Sequence, residues 1–210
     1  MNKYYQLPLG ELSANCYIIP AGEGGAVVID PASSAEVLMF LKAHELTLRA
    51  IVLTHGHFDH FAGVPALVRE TGAEVIAPEA DVQMLASAVK CWADFMPRTE
   101  FLPVVPDRTY KDGDEFTAGG LSFRAMGAPG HTAGSSLLFC PTLGDVVFTG
   151  DVIFAGAVGR TDGFSGSGLQ MRETLAKIAA LDGEYTLLCG HGESTTLKTE
   201  KQYNPYLSAF

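Results

Sequence analysis

Three imidazoles and a carboxylate fall within six positions of this chain, in Thr54-His55-Gly56-His57-Phe58-Asp59-His60. Such a grouping is costly to keep for structure alone, and its chemistry is that of a metal-ligand cluster. Side chains two apart in an extended segment face the same way. His55 and His57 can therefore reach one ion while Asp59 and His60 turn toward another. Of the remaining histidines, His131 and His191 each lie in a Gly-rich loop after an apolar run, in Ala128-Pro129-Gly130-His131-Thr132 and Leu187-Leu188-Cys189-Gly190-His191-Gly192. Between them, Val146-Val147-Phe148-Thr149-Gly150-Asp151 is a β-rich run with a carboxylate just past its end. Singly, His131 or His191 reads as a hydrogen-bonded loop residue, and Asp151 as a turn or helix cap. Together with the dense first motif, five histidines and two aspartates at strand ends read as a metal site. His44 lacks any such companion and is expected at a surface or helix end.

These ligands need rigid supports. Alternation and apolar runs predict strands near Tyr4–Leu7, Cys16–Ile19, Ala26–Ile29, Ala50–Leu53, Glu74–Ala77, Leu121–Ala125, Ser136–Cys140, Val146–Phe148 and Thr186–Cys189. Helical periodicity covers Ala35–Leu46, Phe61–Glu70, a stretch after Ala77, and Leu169–Leu181. The pattern is mixed α/β. With 47% hydrophobic residues, a chain of 210 can bury a large core. No linker or repeat divides it, so one domain over residues 1–210 is expected.

Charge narrows the partners. A formal net charge of −10, without clustered Lys and Arg, argues against nucleic acid and for a small-molecule substrate. The first residues lack the apolar core of a signal peptide, and no stretch approaches a membrane span, so a cytoplasmic protein is the expectation. Oligomeric state is not legible. Cys16, Cys140 and Cys189 sit in apolar runs and read as buried free thiols, whereas Cys91, in a polar, Pro-containing stretch beside Trp92, is expected to be exposed.

His55-Gly56-His57-Phe58-Asp59-His60, Pro129-Gly130-His131-Thr132-Ala133-Gly134-Ser135, Thr149-Gly150-Asp151 and Gly190-His191-Gly192 together resemble, in their order, the metallo-β-lactamase superfamily. Gly150-Asp151-Val152-Ile153-Phe154, Val158-Gly159-Arg160-Thr161-Asp162 and Asn204-Pro205-Tyr206-Leu207 extend the likeness along nearly the whole chain. Within the superfamily the sequence is most similar to short bacterial glyoxalase II-like (hydroxyacylglutathione hydrolase-like) hydrolases. The resemblance implies a four-layer αββα sandwich with the metals at one rim. It also implies that His55, His57 and His131 hold one ion, that Asp59, His60 and His191 hold a second, and that Asp151 bridges them. Two divalent ions less Asp59, Asp151 and a shared hydroxide leave one positive charge, which favours an anionic tetrahedral intermediate. Asp59 would also orient the hydroxide, making it the catalytic residue. Imidazole and carboxylate suit zinc, iron and manganese alike; zinc is the first expectation and iron the second. Asp30 resembles the aspartate that braces the metal loop in this family, and reads equally as a strand-end cap.

Arg160 falls where relatives place a cationic contact to glutathione, and an ion pair with Asp162 is the competing reading. Gly163-Phe164-Ser165-Gly166-Ser167-Gly168 is either a mobile loop beside the site or a polar connection. Trp92, Phe95 and Met96 either line the mouth or form an apolar patch under a loop. The activity implied is hydrolysis of a thioester such as S-D-lactoylglutathione. A persulfide dioxygenase with one iron held by His55, His131 and Asp151, a lactonase or other ester hydrolase, and a non-catalytic metal-binding scaffold are the alternatives.

Overall fold

The computed structural model describes residues 4–208 and 210. Its strands are β1 (Tyr5–Leu9), β2 (Ala14–Ala21), β3 (Gly25–Ile29), β4 (Thr47–Val52), β5 (Glu74–Pro78), β6 (Arg108–Tyr110), β7 (Glu115–Ala118), β8 (Leu121–Gly127), β9 (Ser136–Phe139), β10 (Val146–Gly150), β11 (Ile153–Phe154), β12 (Ala157–Val158), β13 (Thr186–Cys189) and β14 (Thr195–Thr196). Its α-helices are α1 (Ala35–Ala43), α2 (Phe58–Phe61), α3 (Val64–Thr71), α4 (Val82–Leu85), α5 (Gly168–Ala179) and α6 (Leu197–Tyr203). One six-stranded sheet runs β1-β2-β3-β4-β5-β6, and a second runs β14-β13-β10-β9-β8-β7. In the first, β3 to β6 pair in parallel; in the second, only β10 and β13 do.

The period-2 alternation of the strands explains the layering. In β2, Tyr17 and Ile19 face the second sheet while Cys16 and Ile18 face the helices; β3 splits the same way, with Val27 and Ile29 inward and Ala26 and Val28 outward. From the second sheet, Phe123, Leu138, Phe148 and Leu188 meet that inner face. Leu137, Phe139, Val147 and Leu187 turn outward to Met171, Leu175 and Ile178 of α5. Helices thus cover the outer face of each sheet, giving the expected αββα order. Among the described residues no helix is long and apolar enough to cross a membrane.

Differences from the sequence reading are local. The helix expected over Phe61–Glu70 begins only at Val64, as α3, and a separate short helix, α2, ends at Phe61. The chain turns at Gly63, whose N–H bonds Pro31 O at 2.9 Å and where a Cβ would press on the Ser33 backbone at 2.6 Å. Edge strands β6, β7 and β14, the β11–β12 ribbon and α6 were not expected, being short and weakly periodic. Cys91 is not exposed: the chain around it folds inward, so it is fully buried with the other three thiols. His44 caps the C-terminal end of α1, as expected, with its ring stacked on Phe40.

Candidate metal centre

Asp30, the His55 loop, Asp81, His131, Asp151 and His191 follow β3, β4, β5, β8, β10 and β13, so both sheets deliver residues to one rim from their strand ends. That is where open sheets place ligand sites. His57 is the last extended residue of its loop (φ −80°, ψ 143°), and the chain turns into α2 immediately after it. This change of backbone sends Asp59 and His60 a different way from His55 and His57. A bulge between Phe148 and Gly150 interrupts the β10–β13 ladder just before Asp151 and re-aims its carboxylate.

Among the described residues three overlapping sets of side chains have ligand atoms within 4.8 Å of one another: His55, His57 and His131; Asp59, His60 and His191; and Asp30, His55 and His60. Asp151 lies between the first two. Its Oδ2 is 3.6 Å from both His131 Nε2 and His191 Nε2, and its Oδ1 is 3.3 Å from His60 Nε2. Asp59 Oδ2 is 3.2 Å from His191 Nε2. The seven residues named by resemblance thus lie together in one continuous cluster. Approach of Asp151 requires glycine at position 190, because a Cβ there would collide with Asp151 Oδ1 and sit 2.9 Å from His60 Cε1.

The donor atoms fit metal ions. His55 Nε2 and Asp151 Oδ1 are buried without a hydrogen-bond partner, the 3.3 Å approach of Oδ1 to His60 being out of hydrogen-bond alignment, and His57 turns Nδ1 toward His131 Nε2 at 2.7 Å. Unpaired buried polar atoms are expensive unless something polar or charged completes them. Burial, then the neighbouring His131, lowers His57 to a pKa of about 3, and burial likewise pushes His55 down, so both are neutral and ready to ligate. Burial pushes Asp151 up, but the surrounding imidazoles, His60 first, hold it well below the usual carboxylate range. His60 moves the other way: burial opposes its charge, but Asp59 and Asp151 hold it well above its ordinary range. The cluster thus favours positive charge among its carboxylates.

A second layer of hydrogen bonds fixes the rings. Asp30, a carboxylate at φ 50°, accepts from Thr54 N at 2.8 Å and Thr54 Oγ1 at 2.6 Å, and lies 3.0 Å from His60 Nδ1. Asp30 thus stands at the end of β3 and bonds the backbone of the His55 loop at Thr54. Asp81 escaped the sequence reading. It is fully buried and accepts from Gly56 N at 2.8 Å, Gly134 N at 2.8 Å and Thr132 Oγ1 at 2.6 Å, joining the His55 loop to the His131 loop. In Pro78-Glu79-Ala80-Asp81 it reads as an ordinary helix-start acid, and no local signal separates it from its neighbours. The N-terminal sheet also holds the His191 loop: Asn15 Nδ2 donates to Cys189 O and Gly192 O, both at 2.9 Å, and Tyr17 Oη donates to Cys189 O at 2.6 Å.

Arg160 makes the ion pair foreseen with Asp162, Nε to Oδ1 at 2.7 Å and Nη2 to Oδ2 at 2.9 Å, and lies over Trp92 with its guanidinium carbon 4.0 Å from the ring centroid. Trp92 flanks the site against His57, Phe95 is exposed and Met96 is buried, so the three do not form one wall. The 163–168 stretch is tied down: Ser165 Oγ accepts from Ala133 N at 3.1 Å, Ser167 N donates to Gly130 O at 2.8 Å, and the Ser167 side chain caps α5. Beside the Arg160 loop opens a cavity of about 540 Å³, lined by Val158, Arg160, Met171, Arg172 and Tyr206 among others.

Comparisons with known proteins agree with this geometry. Over 206 residues the chain is 30% identical to hydroxyacylglutathione hydrolase GloC of Haemophilus influenzae, covering 97% of each sequence. Its structure is similar to the crystal structure of BLEG-1 B3 metallo-beta-lactamase, with a TM-score of 0.89, 31% identity, and 98% of this chain and 99% of that one covered. It is similar also to TTHA1623 in a di-iron-bound form, with a TM-score of 0.86, 32% identity, and 97% and 100% covered. The model of the metallo-beta-lactamase superfamily matches residues 9–191, from the last residue of β1 to the last histidine of the centre. With both sheets, the ligand order and the convergent rim in agreement, this chain belongs to the metallo-beta-lactamase superfamily.

Proposed function

We propose that this protein is a metal-dependent hydrolase of acyl thioesters, S-D-lactoylglutathione being the type substrate. The observation that carries the reading is the convergence of two complete three-residue ligand sets on one shared carboxylate, Asp151. His55, His57 and His131 would hold one divalent ion and Asp59, His60 and His191 the other. Zinc is the first choice and iron the second, supported by the di-iron neighbour. Such a pair supplies acidified water and Lewis-acid polarisation of a carbonyl at neutral pH. The chain's own part is to place the reactants. Burial pushes Asp59 up, but His60 and then the hydrogen bond from His191 hold it below the usual carboxylate range. Ionised, it can accept a hydrogen bond from the attacking water and so align it. A departing thiolate, with a conjugate-acid pKa of about 8.5, needs little help from a general acid.

The 540 Å³ cavity beside Arg160 is lined by none of the seven cluster residues, so it would take the thiol carrier and not the acyl group. Asp162 occupies Nε and one N–H of Nη2 of Arg160, which leaves both N–H groups of Nη1 and the second of Nη2 for a substrate anion. The likeness to GloC supports the thioester class. The test couples metal analysis of the purified protein to loss of thioester absorbance with S-D-lactoylglutathione and to oxygen uptake with glutathione persulfide. About two metals per chain with thioester loss and no oxygen uptake is expected. One iron per chain with oxygen uptake would move the protein to the dioxygenases.

A further inference from the structure

Three of the buried imidazoles in the centre are held from behind by a hydrogen bond. His55 Nδ1 lies 3.0 Å from Thr54 Oγ1, His60 Nδ1 3.0 Å from Asp30 Oδ2, and His131 Nδ1 2.8 Å from Arg160 O. Such contacts fix ring orientation and tautomer in metal sites. His57 differs. Its Nδ1 faces His131 Nε2 at 2.7 Å, while its Nε2 is buried with no partner among the described residues. What meets His57 instead is a flat surface: the indole of Trp92 lies against its ring, centroids 5.2 Å apart and planes 24° from parallel.

Trp92 is held there at some expense. It has φ 68° and ψ 22°, a left-handed conformation that a bulky residue rarely adopts and that persists only where the surroundings enforce it. The Arg160 guanidinium over the indole, locked by Asp162, is one such constraint. The absence of a side chain at Gly163 is another, since a Cβ there would stand 3.0 Å from Trp92 Cζ2. Arg160 therefore meets His131 directly through its carbonyl and supports the indole that lies against His57.

We propose that Trp92 is a positioning residue for the ion held by His55, His57 and His131, setting the ring plane of His57 by stacking where the other imidazoles use a hydrogen bond. The proposal rests on the two-ion reading, and its test separates the two. Metal-free wild type, Trp92→Phe, Trp92→Leu and Phe95→Ala are loaded with Zn²⁺ in competition with a chromophoric chelator. Wild type is expected to bind two ions. Loss of an orienting contact of this kind costs about 10–100-fold in metal affinity, so Trp92→Leu is expected to weaken one of the two ions by that factor and spare the other. Trp92→Phe, which keeps a stackable ring, should restore the affinity. Phe95→Ala, which removes a neighbour 6.0 Å from the same indole, should leave it unchanged. In the Co²⁺-loaded proteins, the ligand-field spectrum of one ion should shift in Trp92→Leu only. Trp92 is the single tryptophan, so wild-type emission is expected to change as one of the two Zn²⁺ ions binds, a readout that needs no variant to fold. Wild-type affinities for both ions in Trp92→Leu, or emission unmoved by two equivalents of Zn²⁺, would overturn the proposal. A wild type that binds no ion would overturn the two-ion reading and with it this inference.

Discussion

Replacing Asp81 by Ala tests whether a buried carboxylate outside both ligand sets holds the centre together. Its three donors, Gly56 N, Gly134 N and Thr132 Oγ1, would lose their acceptor inside the protein. An unsatisfied buried donor costs about 1–3 kcal/mol, which sums to roughly 3–9 kcal/mol. Against this, burial pushes the Asp81 carboxyl above its ordinary value, so removing it returns part of its own desolvation cost. We expect a net loss of about 2–4 kcal/mol, and at about 2–4 °C per kcal/mol for a chain this size, a Tm lowered by about 4–16 °C. Because Asp81 grips the His55 and His131 loops and touches neither Asp59, His60 nor His191, the effect on metal should be uneven. One ion should bind about 10–100-fold more weakly, with the other little changed. Denaturant unfolding of the metal-free protein gives the stability, and chelator competition gives the two affinities. An Asp81→Ala protein with wild-type stability and two unaltered affinities would refute the idea that Asp81 couples the loops.

Gly190→Ala should displace Asp151, with which its Cβ would collide, and lower the bound metal below two per chain by elemental analysis; a full complement would refute the close-approach argument. His57 titrates at about 3 in the folded protein and near 6.5 when unfolded, so across that window the unfolded chain binds more protons there. Stability of the metal-free protein should therefore rise with pH between about 3 and 6.5, and His57→Gln should flatten this slope; parallel denaturation profiles would sink the assignment. Phe148, buried between the sheets and edge-on to Tyr17 at 5.3 Å, should cost about 3–5 kcal/mol when replaced by Ala, and urea titration would show it.

The candidate ligands were legible because their chemistry is dense and sequential: His55, His57, Asp59 and His60 announce themselves within six positions, and His131, Asp151 and His191 repeat a strand-end design. The central strands were legible for a similar reason, since β2, β3, β8, β9, β10 and β13 carry clear apolar periods. What supports the ligands was harder to read. Asp81 gains its role from Gly56 and Gly134, which are 25 and 53 positions away, so only the folded chain brings its donors together. Trp92 stacks on His57 across a loop with no regular period. Cys91 was misjudged because polar neighbours describe the composition of a segment and not the direction in which it turns. The Gly/Ser composition of 163–168 left mobility open, yet Gly163 makes room for an indole and Ser167 caps α5.

The centre draws on six strand ends shared between two sheets, and its outermost members, Asp30 and His191, stand at opposite ends of the chain. Neither sheet alone contains a complete ligand set. The first carries His55 and His57 without His131, and the strand that leads to His191 pairs only within the second. Such distant contacts form late, after the loop-closure entropy of most of the chain has been overcome. An ion can therefore be captured at full strength only once the two sheets have docked. Once captured, it resists their separation by binding the native state and not the unfolded one. An ion held at this rim would thus be added after the sheets dock, and its release would be linked to their separation.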